Sequence, residues 1–544
     1  MLPAYALALS LLVTGPLLAP GYLLLRDAVS TPRSYLTDAA LGLTEAAPRA
    51  LPQDFAVAVA STVLDGGVVV KILLVAGLWL AGWGAARLAS AVLGPGLPGR
   101  FIAATLAVWN PYVAERLLQG HWSLLVGYGC LPWVAVCVLR LRAGAGPAPA
   151  WGLLFWIALA GLTPTGLMLA ATVALTTVAV PGDGWRRLRV AALGLGSAVL
   201  AATPWLVAAA IGGAVSSAPP PAAGVDAFAA RAEPGLATLG SLAGLGGIWN
   251  GESVPGSRTT LFAVVATAVL IGIVALGLPV VARNRTAVPL LILAAAAVLI
   301  PAAMATGPGL TFVDAAIRAV PGIGVVRDGQ KWVALAMPGY TVAAAAAPVT
   351  LCRLRVPATA AAAVCCAALI AVLPDLAWGV GNQMRAVQYP PSWAAAAAEI
   401  NADPRPVAVL PPDSMREFSW APTAPVLDPL PRWLRAEVLT TGDLSIGGQT
   451  VPGEGARARA VQDLVLSGAP DQQLADAGVG WVVRESDREI SVHRVGGSSP
   501  AASQRGVMIA AHLAWLVVLA GGAIGMAVSG LRGPRPVLQT SPLT

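Results

Sequence analysis

Long apolar stretches, separated by short polar segments, follow one another along most of the chain. Each is continuous, and most approach the length of about 20 residues that crosses a bilayer. Backbone polar groups in hydrocarbon must be paired internally, so these stretches predict helices, and not a β-barrel of alternating strands. The pattern predicts a mainly α, polytopic membrane protein with about twelve transmembrane helices. They lie at residues 2–25, 66–90, 101–109, 123–139, 150–181 (two short helices), 190–212, 259–282, 286–305, 332–350, 356–374 and 507–530.

Two of these regions contain a break in the helix. Asn110-Pro111 interrupts the third stretch, and Thr163-Pro164-Thr165-Gly166 divides residues 150–181. Proline ends or kinks a helix because it lacks the backbone N–H. Broken helices at membrane depth are tolerated only where they line a cavity or are buried in protein.

The pattern changes at residues 382–505, where charged residues become frequent and short strand-like pieces alternate with helical ones. The strands are predicted in PVAVLPP, GWVVRES and EISVHRV, and the helices in SWAAAAAEI and GARARAVQDLVL. This alternation predicts a small α/β module before the last helix. The predicted domains are a transmembrane domain (1–375) with outer loops 26–65, 213–258 and 306–331, the module (376–506), the last helix (507–530) and a tail (531–544).

Charge separates by side when the predicted helices are threaded through a bilayer. Of the 27 Asp and Glu residues, only Asp183 falls on the side that carries the short, arginine-rich connections. This positive-inside pattern predicts a plasma-membrane protein with cytoplasmic amino and carboxyl termini and an extracytoplasmic module. The arginines that carry it are Arg87, Arg100, Arg140, Arg142, Arg186, Arg187, Arg189, Arg283, Arg285, Arg353, Arg355, Arg532 and Arg535.

Composition excludes several classes of function. The chain is 57% hydrophobic and 11% charged, with a mean hydropathy of +0.73. Its net charge of +7 comes from the inner arginines, and no basic patch interleaved with aromatics predicts a nucleic-acid partner. The five cysteines lie within predicted helices or, for Cys352, just beyond the end of one, which is typical of small buried apolar residues. The sequence lacks Walker, nucleophile-elbow, CxxC and HExxH motifs, and its inner loops leave no room for a nucleotide-binding domain.

The first outer loop carries several carboxylates, of which Asp27 lies at the mouth of the first predicted helix. A carboxylate there can face a partly dry cleft, which suits a general base whose pKa is raised toward neutrality by desolvation. The alternative is that Asp27, Asp38, Glu45 and Asp54 are solvated loop charges or helix caps. Arg26 could equally be an interfacial anchor.

Two further segments place charge close to the hydrocarbon edge, where it is costly and usually has a partner or a function. WNPYVAERLLQGHW carries Glu115, Arg116, His121 and Trp122; the alternative is a surface helix held by aromatic anchors. VVRDGQKW carries Arg327, Asp328 and Lys331, whose two cations could clamp a phosphate or could pair with Asp328 and fix the loop to the membrane surface.

Together these segments resemble multispanning glycosyltransferases of the GT-C superfamily. The likeness lies in the Asp after the first helix, the N-P-x-V-x-E-R-L-x-x-G-H-W run and the R-D-x-x-K-W stretch, and it covers residues 1–375. It is closest to integral membrane proteins of mycobacteria akin to arabinofuranosyltransferases and to YfhO-type proteins.

The resemblance implies a polyprenyl-phosphate sugar donor, a cell-envelope glycan or glycolipid acceptor on the outer face, membrane lipids as partners, and inversion at the anomeric carbon. It implies Asp27 as general base. Asp38 of the same outer loop is a second catalytic candidate, taken from the sequence alone. A divalent cation is possible, but the paired DD or DE signature of many members is absent. The implied donor-phosphate residues are Arg327, Lys331 and Arg116, and the supporting residues are Arg26, Glu115, His121, Trp122 and Asp328.

Two other functions stay open at the level of sequence. A transporter or flippase for a lipid-linked glycan would also use broken helices, although the sequence shows no matching halves and few charges at midspan. A non-catalytic scaffold that partners another glycosyltransferase would explain the missing carboxylate pair.

Overall fold

The computed structural model describes residues 1–45, 50–94, 96–213, 225–319, 323–412, 414–446, 449–451, 453, 455–500 and 502–531. The predicted tail 532–544, with Arg532 and Arg535, and part of the loop 213–258 lie outside these residues. The fold is mainly helical, with 65% helix and 6% strand. The helices are α1 (Leu2–Thr14), α2 (Asp38–Leu41), α3 (Gln53–Ala60), α4 (Gly66–Leu93), α5 (Leu97–Val108), α6 (Pro111–Leu118), α7 (Trp122–Arg142), α8 (Ala148–Ala160), α9 (Pro164–Thr177), α10 (Arg187–Ala201), α11 (Thr203–Gly213), α12 (Thr238–Ala243), α13 (Phe262–Val281), α14 (Val288–Met304), α15 (Gly307–Ala319), α16 (Met337–Cys352), α17 (Ala358–Ala371), α18 (Ala377–Asn382), α19 (Pro391–Ala402), α20 (Leu430–Trp433), α21 (Ala456–Leu466), α22 (Asp471–Asp476) and α23 (Arg505–Leu531). The strands are β1 (Tyr22–Leu25), β2 (Ala28–Val29), β3 (Ala386–Val387), β4 (Val407–Leu410), β5 (Met415–Arg416), β6 (Val426–Leu427), β7 (Val438–Leu439), β8 (Leu444–Ile446), β9 (Gln449–Val451), β10 (Trp481–Glu485) and β11 (Ile490–Arg494).

Among the described residues, five helices are long and apolar enough to cross a membrane, or up to eight spans if each bent pair of helices counts as one. The bent pairs are α10 with α11 (53°), α14 with α15 (91°) and residues 358–371 with 374–382 (75°). Residues 2–18, α8 and α9 are shorter apolar helices. The protein is therefore a helical membrane protein, and the apolar pattern alone did not predict these three bends.

The first predicted span ends earlier than its apolar pattern indicates. The prediction of a helix over 2–25 is wrong at its carboxyl end, because the helical part stops at Leu18 and Tyr22–Leu25 forms strand β1. Pro20 holds the preceding residue in an extended conformation. Gly21 then has a φ of +125°, and a Cβ there would lie 2.4 Å from the carbonyl oxygen of Val387. The chain therefore turns out of the helix just before Asp27.

The two predicted helix breaks are present. At each break, a side chain caps the helix that follows. Asn110 accepts a hydrogen bond from the backbone N–H of Val113 at 3.1 Å, with Pro111 in the first turn of α6. Thr163 does the same for Gly166 at 3.0 Å at the start of α9. Such caps satisfy N–H groups that a helix start leaves unpaired. At both breaks, a side chain of the protein therefore pairs a backbone N–H group that the helix start leaves free.

Helices α4 and α7 approach each other closely in the core of the helical domain. A Cβ at Gly77 would lie 2.9 Å from the Cα of Val126, and one at Gly129 would lie 2.2 Å from the carbonyl oxygen of Gly77. Small residues at helix crossings allow this close backbone packing in membranes. The crossing holds the amino-terminal end of α7, which follows His121, in a fixed position.

The elements predicted for residues 382–505 are observed: the three strand-like pieces form β4, β10 and β11, and the two helical pieces form α19 and α21. The main sheet has the order β11-β10-β4-β7, with β10 antiparallel to β11 and parallel to β4. The sequence did not predict how the module joins the amino-terminal segment. Strand β1 pairs with both β2 and β3, and the N–H of Leu427 donates to the carbonyl oxygen of Arg26 at 2.9 Å.

A buried cluster inside the module holds two carboxylates and one guanidinium. Arg416 Nε contacts Glu485 Oε2 at 2.7 Å, and Arg416 Nη2 contacts Asp428 Oδ2 at 3.4 Å. Burial, together with the charge of Asp428, raises the pKa of Glu485, and the Arg416 charge only partly offsets this. Among the described residues, Glu485 Oε1 has no hydrogen-bond partner, which agrees with a protonated carboxyl group.

We therefore expect the stability of the protein to fall as pH rises above 4.5, the ordinary pKa of Glu485. The folded state keeps this proton over a range in which the unfolded chain has released it, so rising pH favours unfolding. In Glu485→Gln, this part of the pH dependence should disappear from thermal unfolding curves of the full chain. The exposed Glu489→Gln is the matched control, and an equal effect of both variants would contradict the assignment.

Candidate functional site

Asp27 lies on a tight turn between the amino-terminal strands. Residues Arg26 and Asp27 connect β1 to β2, and Leu25 pairs with Ala28. Arg26 has a φ of +48°, a left-handed conformation that is strained for a residue with a side chain. The N–H of Asp27 donates to the carbonyl oxygen of Gln119 at 3.2 Å. The turn is thus held between the end of α6 and the module, which fixes the direction of the Asp27 side chain.

The Asp27 carboxylate has two partners from the ERLLQGHW segment and remains accessible. Asp27 Oδ2 is 2.9 Å from His121 Nε2, and it accepts a hydrogen bond from Gln119 Nε2 at 3.2 Å. The Asp27 side chain is 38% exposed and that of His121 is 17% exposed. Both contacts fall on Oδ2, so Oδ1 can face an incoming group.

The contacts of His121 fix its tautomer. Its Nδ1 lies 3.1 Å from Arg116 Nη1. Because a guanidinium can only donate, Nδ1 must be the acceptor and the proton must be on Nε2, from which it is donated to Asp27. His121 therefore acts as a neutral link between Arg116 and Asp27.

Arg116 joins the two segments that the sequence places far apart. Its guanidinium binds Asp328 in bidentate fashion, with Nη1–Oδ2 at 2.9 Å and Nη2–Oδ1 at 3.0 Å, and it also donates to Gln330 Oε1. Lys331 Nζ lies 3.6 Å from Asp328 Oδ2. The Arg116 side chain is fully buried, whereas that of Lys331 is 24% exposed. Of these two cations, Lys331 is the one that can meet a ligand.

Glu115 points to the opposite side of the cluster. Its carboxylate accepts hydrogen bonds from the backbone N–H groups of Gly247 and Ile248, both at 3.1 Å, and from Gln330 Nε2 at 2.9 Å. Every residue of α6 is buried. The alternative of a surface helix with aromatic anchors is therefore wrong: Tyr112 and Trp122 pack inside the helical core. Glu115 ties α6 to the loop that precedes α13.

Arg26 and Arg327 occupy the edges of the cluster. Arg26 is buried and donates to the carbonyl oxygens of Leu118 and Glu252, both at 2.9 Å, so its interpretation as an interfacial anchor is wrong. Arg327 precedes Asp328 in sequence. Its guanidinium carbon lies over the ring of Phe228, 4.0 Å from the ring centroid.

Three other loop carboxylates lie away from the Asp27 cluster. Asp38 forms an ion pair with Arg505 at the start of α23, Asp54 pairs with Arg432 at 3.2 Å, and Glu45 accepts from the N–H of Arg457 at 3.0 Å. These contacts fasten the first loop to the module and the last helix. The structure thus separates Asp38 from Asp27, with which the sequence had grouped it.

Replacement of Asp38 by asparagine should lower the free energy of unfolding by at most about 1 kcal/mol, since the ion pair with Arg505 is partly exposed. The activity that the Asp27 cluster supports should persist, because Asp38 contacts none of the Asp27 partners named above. Thermal unfolding and an activity assay of the variant measure the two effects. A loss of activity without unfolding would return Asp38 to the catalytic candidates.

The predicted rise of the pKa of Asp27 is wrong. Burial raises this pKa, but the hydrogen bonds from His121 and Gln119 and the charge of Lys331 outweigh it, so the pKa lies below its ordinary value. For His121, burial lowers the pKa despite the neighbouring Asp27 carboxylate. Asp27 is therefore ionised and His121 neutral at neutral pH. This charge state agrees with the tautomer that the hydrogen bonds require.

Sequence reasoning missed the glutamines that complete the cluster. Gln119 accepts hydrogen bonds from Asn250 Nδ2 at 2.9 Å and Ser253 Oγ at 2.8 Å, which orients its amide group to donate to Asp27. Gln330 bridges Arg116 and Glu115 in the same way. Both lie inside the quoted motifs, but neutral side chains give no charge signal. Among the described residues, no group of three or more His, Cys, Asp or Glu side chains could hold a metal ion.

Comparison with known proteins supports this architecture at the level of fold. Three single-particle cryo-EM structures of arabinofuranosyltransferase AftD from Mycobacteria match, with TM-scores of 0.56, 0.54 and 0.51 at 19%, 20% and 18% identity. The fold of this chain is therefore similar to that of a glycosyltransferase. The matches cover 90% of this chain but only 35–37% of AftD, so the chain corresponds to about a third of that enzyme. No family model and no curated protein matches the sequence.

The likeness confirms the resemblance to membrane glycosyltransferases that the sequence motifs indicated. It extends beyond residues 1–375, to which that resemblance was confined, because it covers 90% of the chain. At this identity, the likeness concerns the fold, and the roles of individual residues have to come from their own chemistry.

Proposed function

We propose that this protein transfers a sugar from a polyprenyl-phosphate donor to a cell-envelope glycan or glycolipid, with inversion at the anomeric carbon. The observation that carries the proposal is the continuous chain of contacts Asp27–His121–Arg116–Asp328–Lys331. One end is an accessible, ionised carboxylate, and the other is an accessible ammonium group. Inverting transfer to a hydroxyl group needs this pair of a base and a cation.

In the proposed reaction, the acceptor hydroxyl oxygen attacks the anomeric carbon of the donor. The bond from that carbon to the phosphate oxygen breaks, and polyprenyl phosphate leaves with the bonding electrons. Asp27 Oδ1 takes the hydroxyl proton, while His121 and Gln119 hold Oδ2. Lys331, together with Arg327, balances the charge that develops on the phosphate.

Arg116 takes a different role from the one first assigned to it. Its buried guanidinium is occupied by Asp328, His121 and Gln330. We therefore propose it as a positioning residue that aligns His121 and Asp328, instead of a ligand of the donor phosphate. Glu115, Asp328 and Arg26 support the same alignment, and Trp122 packs behind it.

The proposed topology places this cluster outside the cell. The positive-inside pattern puts the Asp27 turn and the module on the extracytoplasmic side. About twelve spans result if each bent pair counts as one span and the shorter helices, α5 included, also cross the bilayer. A lipid-linked donor would enter laterally between the broken helices. The enzyme with the similar fold is an arabinofuranosyltransferase, so arabinofuranosyl transfer is the first reaction to test.

The purified protein in proteoliposomes, supplied with a radiolabelled polyprenyl-phosphate sugar and an acceptor, should form labelled glycan without any other enzyme. A transporter would move the labelled lipid across the bilayer without product. A scaffold would be inactive alone and would co-purify with a second enzyme that carries all the activity. Either outcome would overturn the proposal.

The charge state of the cluster predicts the pH profile of this transfer. Because the pKa of Asp27 lies below its ordinary value of 3.8, the base stays ionised until the medium is strongly acidic. The lowered pKa of His121 likewise keeps it neutral below 6.5. The rate should therefore show no inflection from His121 or Asp27 over roughly pH 6.5–8. An inflection near the ordinary histidine pKa, absent from His121→Gln, would contradict this assignment.

A further inference from the structure

The segment from Trp249 to Ser253 lies directly against the partners of Asp27. Asn250 Nδ2 donates to Gln119 Oε1 at 2.9 Å, and Gln119 Nε2 donates to Asp27 at 3.2 Å. The carbonyl oxygen of Glu252 accepts from Arg26, the residue before Asp27, at 2.9 Å. The segment is therefore connected by hydrogen bonds to Asp27 through Gln119, and to the residue before it through Arg26.

The Glu252 carboxylate is exposed and makes only a weak ion pair within the protein. The side chain is 73% exposed, and the nearest ion-pair partner, Arg26 Nη2, lies 3.6 Å away. The closer contact to Arg26 is made by the backbone carbonyl. The carboxylate oxygens thus keep the capacity to accept hydrogen bonds from a ligand.

Trp249, three residues before Glu252, belongs to an aromatic pair. The half-buried indole of Trp249 meets the ring of Phe228 edge-on, with centroids 4.6 Å apart, and Phe228 carries the Arg327 guanidinium. A cavity of about 110 Å³ opens beside the segment, and Arg231, Gly251 and Val254 contribute to its lining. An aromatic ring, an accessible carboxylate and a cavity therefore occur along one short segment, although neither Trp249 nor Glu252 lines the cavity itself.

We propose that Trp249 and Glu252 form the subsite that binds the acceptor sugar. Asn250 connects this subsite to Asp27 through its hydrogen bond to Gln119. This proposal rests on the proposed function and names the substrate that the subsite takes: an uncharged, hydroxyl-rich saccharide. Its apolar C–H face lies on the indole, and a pair of neighbouring hydroxyl groups donates to the Glu252 carboxylate.

The charges of the cluster favour the acceptor over the donor at this position. A phosphate beside Glu252 would face a carboxylate, and such like-charge contacts are unfavourable. The donor phosphate instead belongs at Lys331 and Arg327. In the displacement, the acceptor hydroxyl oxygen would then lie between Asp27 and the anomeric carbon, with the phosphate on the opposite side of that carbon.

Binding can be tested on the full-length protein in nanodiscs with three octyl disaccharides, built from arabinofuranose, mannose or glucose. Glu252→Gln keeps the backbone contact to Arg26 but weakens the hydrogen bonds to hydroxyl groups. We expect Glu252→Gln and Trp249→Leu each to raise the Kd of the preferred disaccharide roughly tenfold, and Trp249→Phe to raise it less. The exposed Glu399→Gln and Trp151→Phe are matched controls.

Unchanged Kd values in Glu252→Gln and Trp249→Leu would overturn the subsite, as would binding of none of the three disaccharides by the wild-type protein. In the transfer assay, the same variants should raise the acceptor KM and leave the donor KM unchanged. A wild-type protein that binds the disaccharide but forms no product would refute the proposed function and keep the subsite. A protein that transfers sugar with an unaltered acceptor KM in both variants would refute the subsite and keep the proposed function.

Discussion

Replacement of Asp27 by asparagine is expected to lower the rate of sugar transfer by roughly a hundredfold to ten-thousandfold, which is the usual contribution of a general base. Asparagine has nearly the same shape as aspartate, and its amide oxygen can still accept the hydrogen bonds from His121 and Gln119. It cannot take a proton from the acceptor hydroxyl. The loss should therefore appear in kcat and leave the donor KM almost unchanged.

The measurement is the initial rate of product formation in proteoliposomes, alongside the thermal unfolding midpoint. Asp476→Asn, an exposed aspartate on α22, is the matched control for the loss of one carboxylate. It should transfer sugar at the wild-type rate. Full activity of Asp27→Asn at an unchanged midpoint would remove Asp27 from the mechanism and leave the cluster as a structural network.

The sequence identified the members of this cluster better than it identified their contacts. Charges near the hydrocarbon edge need partners, and this argument singled out Glu115, Arg116 and Lys331 before any geometry was known. It could not say which partner each would take, since Arg116 and Asp328 are 212 residues apart. It grouped Asp38 with Asp27 because they share a loop, although tertiary contacts separate them.

The fold shows the same limit at the first helix. The apolar pattern of residues 22–25 suits a transmembrane helix and a buried strand equally well, so periodicity could not choose between them. Only Pro20-Gly21 marked the change, and the partner strand β3 lies far away, at Ala386–Val387. The strands and helices of the module were predicted correctly because they alternate locally in the sequence. Its attachment to Asp27 depends on pairing across the whole chain.

The second large effect concerns stability and follows from the burial of the Arg116–Asp328 pair. The Arg116 side chain is fully buried, and that of Asp328 is 6% exposed. Burial raises the pKa of Asp328, but the Arg116 charge outweighs it, so the carboxylate is held ionised. Loss of either partner leaves a buried charge without its bidentate counter-ion, and the Lys331 contact with Asp328, at 3.6 Å, is a weaker substitute. We expect Arg116→Met or Asp328→Leu alone to reduce the free energy of unfolding by about 3–5 kcal/mol.

The double variant Arg116→Met/Asp328→Leu separates the stability of this pair from its proposed role in transfer. Apolar residues of similar volume often replace a buried ion pair at little cost, so the double variant should recover most of the lost stability in SDS unfolding titrations. Transfer should not recover, because His121 Nδ1 loses its donor and Lys331 loses the carboxylate beside it. A double variant that is stable and fully active would show that Arg116 and Asp328 only pack the site. One that stays as unstable as the single variants would mean that Gln330 and Glu115 need the guanidinium to hold the buried network together.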